Sequence, residues 1–122
     1  MKFCTAINCM DGRVQLPVIN YLKARFQVDY VDSITEPGPN LILAQKDNKT
    51  LVQSIISRVQ ISVKKHHSVA IAIVGHYDCA GNPAGKKEQL LHLEDSMDLL
   101  RQHFNIAVIT LWVDENWEVH EI

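Results

Sequence analysis

Long apolar runs are missing from this chain of 122 residues, and with them any membrane-spanning helix, which needs about 20 consecutive apolar residues. The N-terminus lacks the basic region, apolar core and small-residue cleavage site of a secretory signal, so the cytoplasm is the expected location. An excess of one charge is missing too: 12 Lys and Arg stand against 14 Asp and Glu, with no basic block or arginine-rich stripe. Nucleic acid and membrane surfaces are therefore not expected partners. Cysteine is scarce and odd in number, three in all. That argues against a disulfide framework and for thiolate chemistry in a reducing compartment. Repeats, low-complexity segments and linkers are also absent. The length, with 47% of residues hydrophobic, fits one domain over residues 1–122 with a substantial core.

What is present alternates between strand and helix. Phe3 to Asn8 reads as a strand, followed by Leu16, Ile19, Leu22 and Phe26 at helical spacing. Pro17 is expected in the first turn of that helix, where its missing N–H costs nothing. Val28 to Ile34 reads as a second strand, stopped by Thr35-Glu36-Pro37-Gly38-Pro39-Asn40. A helix is expected near Leu41, and a clearer one from about Thr50 to Lys64 turns Val52, Ile55, Ile56, Val59 and Val63 inward. Ser68 to Val74 is a third strand that breaks at Gly75. Leu90, Leu93, Met97, Leu100 and Phe104 mark a further helix, Ile106 to Val113 a fourth strand, and Trp117 to Ile122 a short edge strand. The fold class this predicts is α/β, three-layer, with a central mostly parallel sheet of four strands plus a possible antiparallel edge strand.

Two segments carry chemistry. In Gly75-His76-Tyr77-Asp78-Cys79-Ala80-Gly81 a histidine and a cysteine lie three positions apart in a loop at a strand end. Imidazole nitrogen and thiolate are the donor types that suit zinc. Two ligands do not hold such an ion, and the third candidate is Cys9 in Cys9-Met10-Asp11-Gly12-Arg13, again where a strand gives way to a helix. If the two strands are parallel neighbours, Cys9, His76 and Cys79 emerge together at the carboxyl edge of the sheet, where α/β proteins bind ligands. Three protein ligands with one exchangeable position is the pattern of a catalytic zinc. Gly12, Gly75 and Gly81 are expected to let the backbone approach closely.

Cys-x-Asp-x-Arg after a first strand, followed much later by strand-Gly-His-x-x-Cys-small-Gly, resembles the β-class carbonic anhydrases. The resemblance runs from the first strand to the last. It implies zinc (Zn2+) held by Cys9, His76 and Cys79, with carbon dioxide and bicarbonate as the small-molecule substrate pair. It further implies that Asp11 and Arg13 pair with each other, Asp11 either orienting a water at the metal or serving as the fourth ligand. Such a zinc lowers the pKa of its water toward about 7. Two other readings stand beside this one: hydrolysis of a carbon dioxide analogue such as carbonyl sulfide or carbon disulfide, and a non-catalytic zinc module closed by Asp11.

The sequence also departs from the family. Only eight residues precede Cys9, too few for the helical arm with which many members wrap a partner subunit. Glu36-Pro37-Gly38-Pro39-Asn40 stands where an Arg-Asn-Ala-Gly-Asn-like turn is usual, and Ala80-Gly81 where paired glycines are usual. A homodimer is expected from the family and from a tail bearing Trp112 and Trp117. Cys4 reads as a buried, inert residue, and His66 and His67 as a pair at a helix end. No role is assigned to His92, His103 or His120.

Overall fold

The computed structural model describes residues 1–122. It contains the strands β1 (Phe3–Cys9), β2 (Tyr30–Glu36), β3 (Ala70–His76), β4 (Ala107–Val113) and β5 (Val119–Glu121), with helices α1 (Gly12–Phe26), α2 (Pro39–Gln45), α3 (Lys49–Lys65) and α4 (Lys86–His103). They form one sheet in the order β2-β1-β3-β4-β5. The first four strands run parallel, and β5 returns antiparallel along β4. The predicted fold class is the observed one. The chain places β2 on one side of β1 and β3 on the other, so strand order reverses between β1 and β3. That reversal opens a crevice at the carboxyl ends of the strands.

Every residue of β3 is buried, so its side chains divide by period two between two cores rather than between core and water. Ile71 and Ile73 join Ile7, Ile55, Leu93 and Leu100 under α3 and α4. Ala72 and Val74 join Cys4, Ala6, Val14 and Leu22 under α1, which covers the opposite face alone. Each of the fully buried Ile and Leu side chains contributes about 1.5–3 kcal/mol. Cys4 is wholly buried, and burial together with nearby Asp32 pushes its thiol up to about 11, which keeps it protonated and inert.

Several boundaries differ from the sequence reading. β2 runs to Glu36 instead of ending at Ile34, because Thr35 and Glu36 pair with Asn8 and Cys9. β3 does not break at Gly75: Gly75 and His76 pair with Trp112 and Val113. α2 begins at Pro39, with Gly38 in a left-handed conformation (φ 63°) just before it. Leu16 faces solvent at 69% exposure, since the face of α1 turned to the sheet is Val14, Val18 and Leu22. Pro17 is not in the first turn but inside the helix, so the Arg13 carbonyl loses its intrahelical donor. Trp112 is buried in the chain and Trp117 covers an arginine side chain, so neither supplies the bare apolar tail expected of them.

Candidate metal centre

Adjacency of β1 and β3 brings Cys9, His76 and Cys79 together, with their donor atoms within 4.8 Å of one another and all three residues buried. The Cys9 and Cys79 sulfurs lie 3.9 Å apart. His76 Nδ1 is 2.7 Å from the Tyr77 carbonyl oxygen. A carbonyl can only accept, so Nδ1 carries the proton, and in the neutral ring Nε2 keeps its lone pair. His76 Nε2 is the one buried side-chain nitrogen or oxygen in the molecule without a partner. Leaving such an atom unpaired costs about 1–3 kcal/mol, and a metal ion at the two sulfurs would satisfy it. Histidine ligands are ordinarily fixed by this kind of contact through the other ring nitrogen. The donor set therefore fits zinc.

The electrostatics favour a cation as well. The hydrogen bond from Cys79 draws the Cys9 thiol down against the opposing effect of burial, helped by His76 and by backbone N–H groups of Gly38 and Asp11. Cys79 moves the other way, raised by its contact with the Cys9 sulfur and by burial. One sulfur of the pair is thus favoured as a thiolate, the donor type a metal takes. The Asn82 N–H donates to Cys79 Sγ at 3.3 Å. For His76, burial works against the charged form, but the Cys9 sulfur and the Tyr77 carbonyl outweigh it and raise the pKa.

Asp11 caps α1, accepting from the Arg13 N–H at 2.9 Å. The Arg13 side chain then folds back onto it, with Nε 3.0 Å from Oδ1 and Nη2 2.7 Å from Oδ2. Those bonds lower the Asp11 carboxyl to about 2 against a smaller opposing effect of burial. The expected pair is present, and it has company that sequence reasoning missed. Arg13 Nη1 reaches Asp78 Oδ2 at 3.2 Å, Nη2 reaches the Asp78 carbonyl at 3.1 Å, and the Trp117 ring lies under the guanidinium at 4.4 Å.

Behind the donor atoms lies a buried amide network, also missed. The Gln89 carboxamide donates to the carbonyls of His76 (2.9 Å), Ala84 (3.1 Å) and Asn82 (3.3 Å) and accepts from Asn40. Asn82 donates to the Asn40 side chain and contacts His92 Nδ1 at 3.0 Å, so His92 does have a partner. His120 has one too, Asp114 at 2.7 Å, while His66 ends α3 as expected and contacts Asp32 at 2.6 Å. A signal for the network existed: Gln89 and Ser96 fall on the same helical stripe as Leu93 and Leu100, and all four are buried.

Two glycines hold the Cys79 loop in place. A Cβ on Gly81 would lie 2.3 Å from the Pro37 carbonyl carbon, and one on Gly38 2.6 Å from that of Gly81. The turn that departs from the family thus packs backbone to backbone against the Cys79 loop. Gly75 is confined by the Asn40 and Gln89 side chains, but Gly12 has nothing within 4 Å of an added Cβ, so it needs no close approach. Cavities flank this region. One of about 430 Å³ touches Tyr77, Asp78 and Lys86, and one of about 350 Å³ touches Asn82, Glu88 and His92.

The sequence model of the family described as "Putative carbonic anhydrase" matches residues 1–122. The chain belongs to the carbonic anhydrase family. No curated protein matches this family member at sequence level. Among solved structures it is similar to the β-carbonic anhydrase CafA of the fungal pathogen Aspergillus fumigatus, with TM-score 0.62 and 12% identity over 99% of this chain and 74% of that one. It is also similar to one of two tetrameric β-carbonic anhydrases from the filamentous ascomycete Sordaria macrospora, with TM-score 0.61 and 14% identity over 99% and 80% of the two chains. At these identities the likeness is one of fold.

Proposed function

We propose that this carbonic anhydrase family member holds one zinc ion through Cys9, His76 and Cys79 and interconverts carbon dioxide and bicarbonate. The observation that carries the reading is the buried, unpartnered Nε2 of His76, aimed into a site with two sulfurs. Three protein donors leave one position of a tetrahedral set for water or substrate. When bound, the zinc supplies Lewis acidity that brings the pKa of a water toward about 7.

The chain's own residues do the rest. In its neutral form His76 turns the Nε2 lone pair to the metal position, because the Tyr77 carbonyl holds the proton on Nδ1. Asp11 stays anionic throughout the neutral range and can accept a hydrogen bond from a reacting water. Arg13 decides whether that carboxylate stays beside the site or becomes a fourth ligand. Family membership and fold support this reading, and Met10 and Tyr77, which are exposed at 63% and 49% and follow Cys9 and His76 directly in the chain, support a homodimer that covers them. Elemental analysis followed by stopped-flow hydration of carbon dioxide is the test. One zinc per chain with acceleration above buffer is expected. Full zinc with no acceleration at any pH would leave the non-catalytic module as the better account. Light scattering that finds a monomer at high concentration would refute the dimer.

A further inference from the structure

The Arg13 guanidinium, though 45% exposed, meets partners along two edges and one face, and its donors are divided between them. Asp11 takes Nε and one hydrogen of Nη2, while Asp78 takes Nη1 with its carboxylate and the other Nη2 hydrogen with its backbone carbonyl. The Trp117 ring covers the flat face at 4.4 Å, the geometry of a cation–π contact. Both of these further partners hold backbone conformations that L side chains rarely adopt, with φ of 57° at Asp78 and 61° at Trp117. The β4–β5 turn is built to keep Trp117 there. Asp114 Oδ1 accepts from the N–H groups of Asn116 and Glu118, and the Asp114 carbonyl accepts from Trp117 N–H at 3.0 Å. Unfavourable backbone held firmly beside a reactive cluster is a common mark of function.

We infer that Asp78 and Trp117 are positioning residues that fix Arg13 and, through it, keep the Asp11 carboxylate off the cluster of Cys9, His76 and Cys79. This inference rests on the reading that Asp11 works beside a metal there. Asp78 lies between two of the three donor residues, so the clamp ties the start of α1 to the loop that carries Cys79. Loosening either partner frees the guanidinium to move, and Asp11 with it. A residue that merely joined three surface segments would affect stability but not the coordination of the site.

The test uses Trp117→Leu and Asp78→Asn, with Trp117→Phe as the conservative variant that keeps an aromatic face. In zinc-free protein, the 15N heteronuclear NOE of the Arg13 Nε–H measures how firmly the side chain is held. In cobalt-loaded protein, the visible absorption reports a carboxylate joining the ligand set. Trp117→Leu and Asp78→Asn are expected to drop the Arg13 NOE toward that of exposed Arg101 and to change the cobalt spectrum, while Trp117→Phe preserves both. An Arg13 as rigid in both disruptive variants as in the unaltered protein overturns the inference, as does a cobalt spectrum that stays put when Arg13 loosens. Unaltered protein that is silent toward carbon dioxide while both readouts respond as expected strikes the proposed function and leaves the clamp standing.

Discussion

Replacing Gly81 with alanine should weaken zinc binding at the proposed site before it costs the fold. The added Cβ would lie 2.3 Å from the Pro37 carbonyl carbon, 2.5 Å from its oxygen and 2.7 Å from Gly38 N. Ordinary contact needs about an ångström more, and no rotamer relieves a clash in which both sides are backbone. The Cys79 loop must therefore shift, carrying the Cys79 sulfur away from Cys9, now 3.9 Å distant, and weakening its contact with the Asn82 N–H at 3.3 Å. Overpacking costs about 1–3 kcal/mol, and a rigid clash belongs at the upper end, which is roughly a 10 °C fall in melting temperature for a domain of this size. Zinc affinity should suffer more, since metal–ligand distances tolerate only about 0.2 Å of error; a loss of at least 10–100-fold is expected. Competition against a chromophoric chelator measures the affinity, and thermal melts of the zinc-free protein measure the fold. Gly12→Ala is the control: nothing lies within 4 Å of its Cβ, so affinity should hold and stability should stay level or rise by about 0.4–1 kcal/mol. A Gly81→Ala protein with unaltered zinc affinity and melting would refute the argument that this backbone contact positions Cys79.

Four further outcomes are expected. Cys79→Ala should abolish tight zinc binding by elemental analysis, because two remaining donors do not hold the ion. Arg13→Ala should keep one zinc per chain yet lose activity as Asp11 closes on the site, visible as an added oxygen neighbour in zinc X-ray absorption. Gln89→Leu should destabilise by about 3 kcal/mol in urea titrations, since it strands the His76 carbonyl, which accepts at 2.9 Å, along with its other buried partners. Acid should loosen the C-terminal strand first: Arg25, and secondarily Tyr21, hold the Glu121 carboxyl below its ordinary value against a smaller effect of burial. Its contribution is complete above the unfolded pKa of about 4.3 and disappears as pH falls through the lower folded value. Hydrogen exchange at Ile122, which donates to the Thr110 carbonyl at 3.0 Å, should therefore accelerate below pH 4.3, and Glu121→Gln should remove that dependence.

The fold was legible wherever burial acts on both faces of a strand. Ile71 to Val74 is a continuous apolar run, and Cys4 to Ile7 is interrupted only by Thr5, because water reaches neither side of them, and such runs separated by helical periods leave few topologies. Strand ends were not legible, because they are decided by neighbours. Gly75 and His76 look like a loop in isolation and are strand only because Trp112 and Val113 lie alongside. Helix faces failed for a related reason. Leu16, Ile19, Leu22 and Phe26 form one acceptable stripe, but the sheet selects Val14, Val18 and Leu22, and the local sequence does not record which stripe it selects.

The same difference separates the donor set from the clamp around it. Cys9, His76 and Cys79 required one inference beyond residue type, that β1 and β3 are adjacent, because two strand ends bring all three to one edge. Arg13 meeting Asp78 and Trp117 requires three loops to converge. Two of those contacts also depend on non-glycine residues at positive φ, which residue type argues against rather than for. A tryptophan 104 positions beyond Arg13 also gives no local sign that it lies under a guanidinium. That position is set by Asp114, whose carboxylate folds the β4–β5 turn. The clamp is thus a product of tertiary structure, and removing the Asp114 carboxylate with Asp114→Ala should loosen Arg13 although the two residues form no contact. Measured by the Arg13 Nε–H relaxation, an unchanged side chain in that variant would mean that Trp117 holds its position without the turn.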